Sequence, residues 1–412
     1  MITTLIDSVL DAVLASLPAH AAHATVILGG SLVLLHLVSA GIVLVRCRKS
    51  PRLALPSDLP AVSIVRPVCG LDYAAGATLA SSFTLDYPRY ELIFCAAHAD
   101  DGAVPLVRRL IARHPHIQAR LLIGETYLNA NPKLNNIAKG WDAATHDWIV
   151  IADSNVAMPR DLVQQMLCVW EDDTGLVCSP PAGSAPQGFW AAVECAFLNA
   201  YQARWQLAAD AAGFGFAQGK AMLWRRDDLE RAGGMRALAS ELAEDAAATK
   251  AVRGLGLQVR LTRMPFPQPL GRRSLSDVWR RQARWAQLRR DSFPLFYAAE
   301  IAAGPWLPFA GAAVAATTAA IPATAAVLAT AALWYGVEML MIHRAGWPLT
   351  WRTLPAAMTR DLLLPALWLC GFRPGGFVWR GNAMQLRRPT QAAQTAHPAQ
   401  AARATYATRG LD

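Results

Sequence analysis

The sequence predicts an α/β fold: a doubly wound, mainly parallel sheet, tied to a membrane by an N-terminal transmembrane anchor and by C-terminal transmembrane or interfacial helices. Three observations carry that prediction. Apolar runs of strand length alternate with helical patterns between residues 60 and 291. An uncharged apolar run, 25–45, precedes this region. Two Ala-rich and almost charge-free runs, 301–320 and 321–342, follow it.

Composition agrees with a mixed soluble and membrane chain. Of 412 residues, 54% are apolar and 17% charged. That is greasy for a soluble enzyme and too polar for a protein made only of spans. The net charge is +9, with 39 Lys and Arg against 30 Asp and Glu. Such a surplus suits nucleic acid or an anionic membrane face. Its concentration beside the apolar runs points to the membrane, and no nucleic acid partner is expected. The seven cysteines, Cys47, Cys69, Cys95, Cys168, Cys178, Cys195 and Cys370, show no metal-ligand spacing. Reduced, buried thiols are the expectation.

The anchor is placed at 25–46. Before it, segment 1–24 carries Asp7 and Asp11 and no Lys or Arg; after it come Arg46, Arg48, Lys49 and Arg52. The positive-inside rule puts 1–24 outside and the following domain in the cytoplasm. With no basic n-region and no clear cleavage site, the run reads as an uncleaved anchor.

The domain 60–291 follows. Strands are expected at 61–66, 90–97, 119–124, 147–153 and 175–179, with helices near 77–85, 103–113, 134–144 and 161–170. Parallel sheets of this kind bind ligands at the carboxyl ends of their strands. Segment 301–342 is expected to form a transmembrane hairpin around Pro322, with Glu338 its one acid. Segment 360–388 holds the short apolar run 362–372, readable as a short span, a re-entrant piece or an interfacial helix. The tail 389–412, rich in Ala, Gln, Thr and Pro, is expected to be disordered.

Five features lie at or near strand ends. Asp100 and Asp101, after the strand YELIFCAA, suit a ribose hydroxyl, a base NH or a metal, and equally a plain Asp-Asp-Gly turn. Asp153 closes the strand in DWIVIADSN, where a carboxylate and a Mg²⁺ or Mn²⁺ ion can join two phosphates. Lys133, in NPKLNN, joins a strand to a helix and can reach phosphate, or simply start that helix. In ELAEDAAATK, Glu241 and Asp245 are four apart and share a helical face, with Glu244 turned away. A carboxylate there can take a proton from an acceptor hydroxyl. In WRRQARW, Arg281 and Arg284 share a face and suit a diphosphate, and Trp279 and Trp285 suit a membrane interface. The helix 274–291 is therefore read as basic and interfacial. The stretch 188–209 is read equally as lipid access or as core.

Together these motifs resemble the ceramide glucosyltransferase family, within the inverting GT-A-type glycosyltransferases. The resemblance runs over 62–386 and rests on VSIVRPVCGLD, LDYPRYELIFC, the Asp-Asp pair, RLLIG and NPKLNN, ADSN, GLVCSPP, the ELAED acid, RQARW and the segment Phe377, Val378, Trp379, Arg380. It implies a GT-A-type fold, a UDP-sugar donor and a lipid acceptor, ceramide or, in a related bacterial group, a hopanoid. It implies that Asp101, with Asp100, holds the uridine part and that Asp153 binds the divalent cation. Asp245 matches the catalytic base, and Arg281, Arg284 and Trp285 match the box at the diphosphate. Two departures stand out. The Asp-x-Asp of many relatives reads Asp153-Ser154-Asn155, and a His-Pro-Arg of eukaryotic members aligns with Gln202-Ala203-Arg204. The Ala- and Arg-rich usage looks bacterial, so the expected location is a bacterial inner membrane, with the catalytic domain facing the cytoplasm.

Overall fold

The computed structural model describes residues 7, 18–47, 58–319, 321–373, 375–379 and 382–385. Strands run as β1 Val62–Val68, β2 Tyr90–Ala96, β3 Gln118–Ile123, β4 Trp148–Ala152, β5 Thr174–Cys178, β6 Pro181–Gln187, β7 Ala221–Arg225, β8 Gln258–Leu261 and β9 Phe266–Arg272. Seven of them form one sheet in the order β3-β2-β1-β4-β7-β5-β8. Pairing is parallel except at β7, which runs antiparallel to both β4 and β5. β6 and β9 pair parallel in a separate two-stranded sheet.

This order places a switch point between β1 and β4. The chain moves outward from β1 through β2 to β3, then returns to β4 on the other side of β1. The crevice outside the carboxyl ends of such neighbouring strands is where doubly wound sheets take ligands. β1 is buried at every position, as a strand covered on both faces requires. One apolar cluster fills the side holding Trp141 and Trp224 and another the side holding Phe83 and Phe94.

The five strands expected from the sequence are β1 to β5. β6 to β9 escaped prediction for physical reasons. β6 and β9 each hold two prolines, Pro181 and Pro186, and Pro267 and Pro269. Proline is confined to edge strands because it cannot donate to a ladder, and a two-stranded sheet is all edge. β8 has four residues. The helix expected at 77–85 is a short helix, Ala75–Ala80, that tightens into a 3₁₀ turn, Ser81–Thr84. The stretch 188–209 is core. Phe189–Cys195, a π-helical segment Ala196–Ala203 and Arg204–Ala211 bury Val193, Leu198, Ala200 and Leu207 completely.

Among the described residues, two helices are long and apolar enough to cross a membrane, Ala19–Arg46 and Ala323–Arg344. Pro294–Ala303 and Trp306–Ala319 make a third only as a pair bent by 48°. The apolar run 362–372 falls in the helix Thr353–Gly371, whose middle carries Arg360 and Asp361. Arg360 pairs with Glu338 at 2.7 Å and with Asp361 at 2.8 Å, all three buried. Ionisable groups at membrane depth persist when paired in this way. The anchor is joined to the catalytic domain: Arg46 pairs with Asp210 at 2.5 Å and donates to the Leu261 carbonyl.

A separate unit, 374–412, contains the hairpin β10 Gly376–Trp379 and β11 Asn382–Gln385. Arg380 and the tail 389–412 lie outside the described residues, as do Arg48, Lys49 and Arg52.

The anchor packs on Trp306–Ala319 through two glycines. A Cβ on Gly29 would stand 2.9 Å from the Leu307 carbonyl oxygen and 3.0 Å from Gly311 Cα. Small residues allow such backbone approach between membrane helices. Gly29→Leu is expected to destabilise the protein by about 1–3 kcal/mol through overpacking. Thermal unfolding in detergent measures this, and an unchanged midpoint would show that the helices separate freely.

Candidate active site

The antiparallel insertion of β7 builds the site. β4 pairs with β7 in the register Ala152↔Ala221. The next step of that register sets Asp153 opposite Lys220, and the Asp153 N–H donates to the Lys220 carbonyl at 2.9 Å. The side chains close the same pairing, with Lys220 Nζ 2.7 Å from Asp153 Oδ2. A second lysine comes from the helix Pro132–Ala143. Asn131 caps that helix by accepting from the Lys133 and Leu134 N–H groups, which fixes the first turn. From there Lys133 Nζ reaches Asp153 Oδ1 at 2.7 Å, Glu244 Oε1 at 2.6 Å and the Gly219 carbonyl at 2.6 Å. The side chains of Asp153, Lys133 and Lys220 are each 12–15% exposed, so the trio is sheltered and yet reachable.

Glu244 and Asp245 open the helix Glu244–Gly254. Asp245 accepts from the Gly219 N–H at 3.3 Å and from the Ala246 N–H at 2.9 Å. Gly219 threads between these groups: a Cβ there would stand 2.7 Å from Glu244 Oε1 and 2.9 Å from Lys133 Nζ. The expected geometry of this segment is corrected. Glu244 faces the site, held also by Asn131 Nδ2 at 2.8 Å, while Glu241 turns aside to Lys250. Helical periodicity counted from Glu241 fails because the helix begins only at Glu244.

The helix Leu275–Ser292 covers the far side, started by a capping box between Ser274 and Asp277. Trp285 lies near two cations, with Arg281 Cζ 4.9 Å and Lys220 Nζ 6.0 Å from its ring centre. Arg281 also approaches Glu194 at 3.1 Å and Gln268 of β9 at 3.4 Å. Arg284, one turn on, adds its charge to the field at Glu194.

Charge divides the acids. Burial pushes the Asp153 carboxyl up, but Lys133 and Lys220 outweigh it and hold it well below the usual range. Burial lowers Lys133, and Asp153 and Glu244 more than reverse that. Lys220 ends below its ordinary value: burial lowers it, Asp153 opposes, and Arg281 and Lys133 add repulsion. Burial, and then the Glu244 charge, raise Asp245 to about 6. Arg66, fully buried in β1, supports the turn after β4 by donating to the carbonyls of Asp153 and Val156 at 2.7 and 2.8 Å.

Asp100 and Asp101 stand at the same sheet edge, after β2. Asp101 accepts from the Gly70 N–H at 2.9 Å and from the Ala103 N–H at 2.8 Å, tying the loop after β1 to the loop after β2. Asp100 is exposed. The structure thus joins Asp153, Lys133, Asp245, Arg281 and Trp285 through a continuous set of contacts, and leaves Asp100 and Asp101 on a neighbouring loop. Sequence reasoning missed Lys220, Gly219 and Glu194. The signal for Lys220 was there: GKAMLW reads as a cation before a strand. An antiparallel strand brings its beginning, rather than its end, to the ligand edge.

The cation expected on Asp153 meets an obstacle. Both carboxylate oxygens carry ammonium groups at 2.7 Å. Among the described residues, no three His, Cys, Asp or Glu gather as a metal site. Asn155 Oδ1, buried without a hydrogen-bond partner, offers a single further oxygen. As arranged, these donors do not fit Mg²⁺ or Mn²⁺, since a hard cation would have to displace two ammonium groups from its carboxylate.

The family model described as Glycosyl transferase family 21 matches 31–392. Ceramide glucosyltransferase 1 of Caenorhabditis elegans is 31% identical over 238 residues, 57% of this chain and 51% of that protein. The ceramide glucosyltransferase of Komagataella phaffii is 38% identical over 112 residues, 26% of this chain and 22% of that protein. The chain spans about half the length of the Caenorhabditis elegans relatives it matches. Among solved structures, the mannosyltransferase PcManGT of Pyrobaculum calidifontis, in complex with GDP-Man and Mn²⁺, covers 82% of this chain and 99% of its own, with 21% identity and a TM-score of 0.47. That likeness is too loose to bear on ligands or residues.

Lys133→Met removes the ammonium that bridges Asp153 and Glu244. Loss of one partner from a sheltered ion pair costs about 3 kcal/mol. Denaturant unfolding of the detergent-solubilised protein is expected to show that loss; a change within about 0.5 kcal/mol would mean that water replaces the bridge.

Proposed function

Because the chain belongs to Glycosyl transferase family 21, matched over 31–392, we propose that it transfers glucose from UDP-glucose to the primary hydroxyl of ceramide with inversion, giving a β-glucosylceramide. One observation carries this reading: a sheltered carboxylate with its pKa raised to about 6, Asp245, stands beside a cationic cluster at the ligand edge of the sheet. A base matched to neutral pH and a positive field for a leaving diphosphate are what such a displacement needs.

In this mechanism the diphosphate lies in the field of Lys133, Arg281 and Arg284, against Trp285, and the uridine half lies toward Asp100 and Asp101. The acceptor hydroxyl attacks the anomeric carbon from the face opposite the diphosphate. Asp245 takes the hydroxyl proton, the new carbon–oxygen bond forms, and the bond to the diphosphate oxygen breaks with its electron pair leaving on UDP. A divalent cation, Mg²⁺ or Mn²⁺, was expected at Asp153; since the donors there do not fit it as arranged, no step depends on one.

A lipid acceptor is supported by the membrane helices and their attachment. Ala19–Arg46 and Ala323–Arg344 can span a bilayer, and Arg46 is bonded to the domain beneath. A small hollow of about 20 Å³, lined by Phe197, Tyr201, Gln282, Arg289, Glu300 and Leu367, lies between the helix that carries Arg281 and the helix Thr353–Gly371, too small for an acyl chain as it stands. The basic residues at the membrane side favour a domain facing the cytoplasm.

Asp245→Asn is expected to lower transfer of labelled glucose in membranes by about 10²–10⁴-fold, the usual worth of a general base. Full retained activity would remove Asp245 from that role. The base acts ionised, so kcat/KM is expected to fall tenfold per pH unit below about 6 and to level off above it. Glu244→Gln removes a charge that raises Asp245, and is expected to move this limb to lower pH. Mass spectrometry of lipids from an expressing strain is expected to show a hexosylceramide; a glycosylated hopanoid, or an N-acetylhexosamine product, would replace the acceptor or the donor named here.

A further inference from the structure

We infer that Lys220 is the residue that grips the donor diphosphate, with Asp153 serving as the seat of its ammonium group, so that donor binding proceeds without a divalent cation. This rests on the UDP-sugar reading above and assigns a binding role to a residue outside the recognised motifs.

The argument begins with hydrogen-bond capacity. An ammonium group has three N–H donors. Those of Lys133 are all taken, by Asp153, Glu244 and the Gly219 carbonyl. Lys133 therefore lends its charge without a free donor. Lys220 Nζ gives one hydrogen bond among the described residues, to Asp153 Oδ2. Two N–H groups are left to meet a ligand in a side chain that is 15% exposed. Charge points the same way. Asp153 faces two cations, and one carboxylate cannot neutralise both; Lys133 has Glu244 as a second partner, whereas Lys220 has Arg281 as a neighbouring cation at the Trp285 ring. Arg281 has Glu194 at 3.1 Å, so the cation that only shares a carboxylate is Lys220. A diphosphate offers what Lys220 lacks, further anionic oxygens that accept charge-assisted hydrogen bonds.

The backbone makes this placement rigid. Lys220 follows Gly219, whose missing side chain lets the segment pass between Glu244 and Lys133, and its carbonyl is bonded to the Asp153 N–H. Asp153 then has the part a metal ligand would have, with an ammonium group in place of the ion. When the glycosyl bond breaks, the electron pair stays on the UDP oxygen, and Lys220 and Arg281 meet the added charge.

Binding of UDP to the detergent-solubilised full-length protein, measured by calorimetry in EDTA and again in excess Mg²⁺, tests this. The wild type is expected to bind UDP in EDTA within about threefold of its affinity in Mg²⁺. Lys220→Met is expected to bind about tenfold or more weakly in EDTA, the worth of one charge-assisted hydrogen bond. Lys220→Arg, which keeps the charge, is expected to restore most of the affinity. Wild-type binding in Mg²⁺ and none in EDTA would overturn the inference and leave the donor reading standing, whatever the variants do. Equal affinity of Lys220→Met and wild type in EDTA would overturn it too. No UDP binding under either condition would overturn the donor reading and this inference with it.

Discussion

A carboxylate at the end of a buried strand has to be compensated, and here the compensation organises the site. Asp153 emerges from β4, whose residues Ile149 to Ala152 are wholly buried. Desolvating a lone carboxylate there would cost several kcal/mol. Two ammonium groups and the backbone bond to Lys220 offset that cost, and each comes from a different element. Lys133 draws in the helix after β3, Lys220 draws in β7, and Lys133 also draws in Glu244 and so the helix that presents Asp245. The position of Asp245 is thus a consequence of neutralising Asp153. The same link separates the two acids chemically. Asp153 is held ionised by its cations, and Asp245, one partner further away and beside Glu244, is kept near the point of titration. Environments that push two carboxyls apart in this way assign them different work.

Much of this was legible in the sequence, and what was not has identifiable causes. β1 to β5 announce themselves as apolar runs of strand length because parallel strands are buried on both faces. Asp153 and Asp101 are legible because those runs end where they stand. Asp245 and Arg281 were legible only as residue types at helical spacing, since their helices lie far along the chain and only tertiary packing brings them to the crevice. Lys220 was passed over because strand ends alone were searched, while β7 is inserted the other way round. Glu244 was turned the wrong way because the helix was assumed to begin before it. The β6 and β9 pair was hidden by its prolines, yet it carries Gln268 to Arg281.

Attachment to the membrane uses buried polar groups as well as apolar length. His36, on the anchor, sits between the Trp334 carbonyl at 3.0 Å and Arg204 at 2.5 Å. Arg360 joins Glu338 on one membrane helix to Asp361 on its own, and Tyr335 donates to Asp361 at 3.0 Å. Such groups cost too much to leave unpaired in a low-dielectric setting, so they fix one arrangement of helices against the domain. Apolar side chains alone would permit sliding, since lipid tails are as apolar as leucine.

The helix Leu275–Ser292 connects these two parts. Its eighteen residues extend about 27 Å at the usual rise. Toward its beginning Arg281 and Trp285 face the cationic cluster, and near its end Arg289 forms a paired hydrogen bond with Glu300, at 2.7 and 2.9 Å, in the segment that leads to the membrane helices. Gln282 and Ala286, on the buried face between, line the hollow shared with Leu367 and Trp368. One rigid element therefore touches the cationic cluster, the small hollow and the segment that leads to the membrane helices. The run of arginines combines a charge that favours a membrane surface with a side chain, Arg281, that packs on Trp285 beside the lysine cluster. Arg281, Trp285 and Arg289 recur every four residues along one side of the helix, and their separation along its axis gives them different partners.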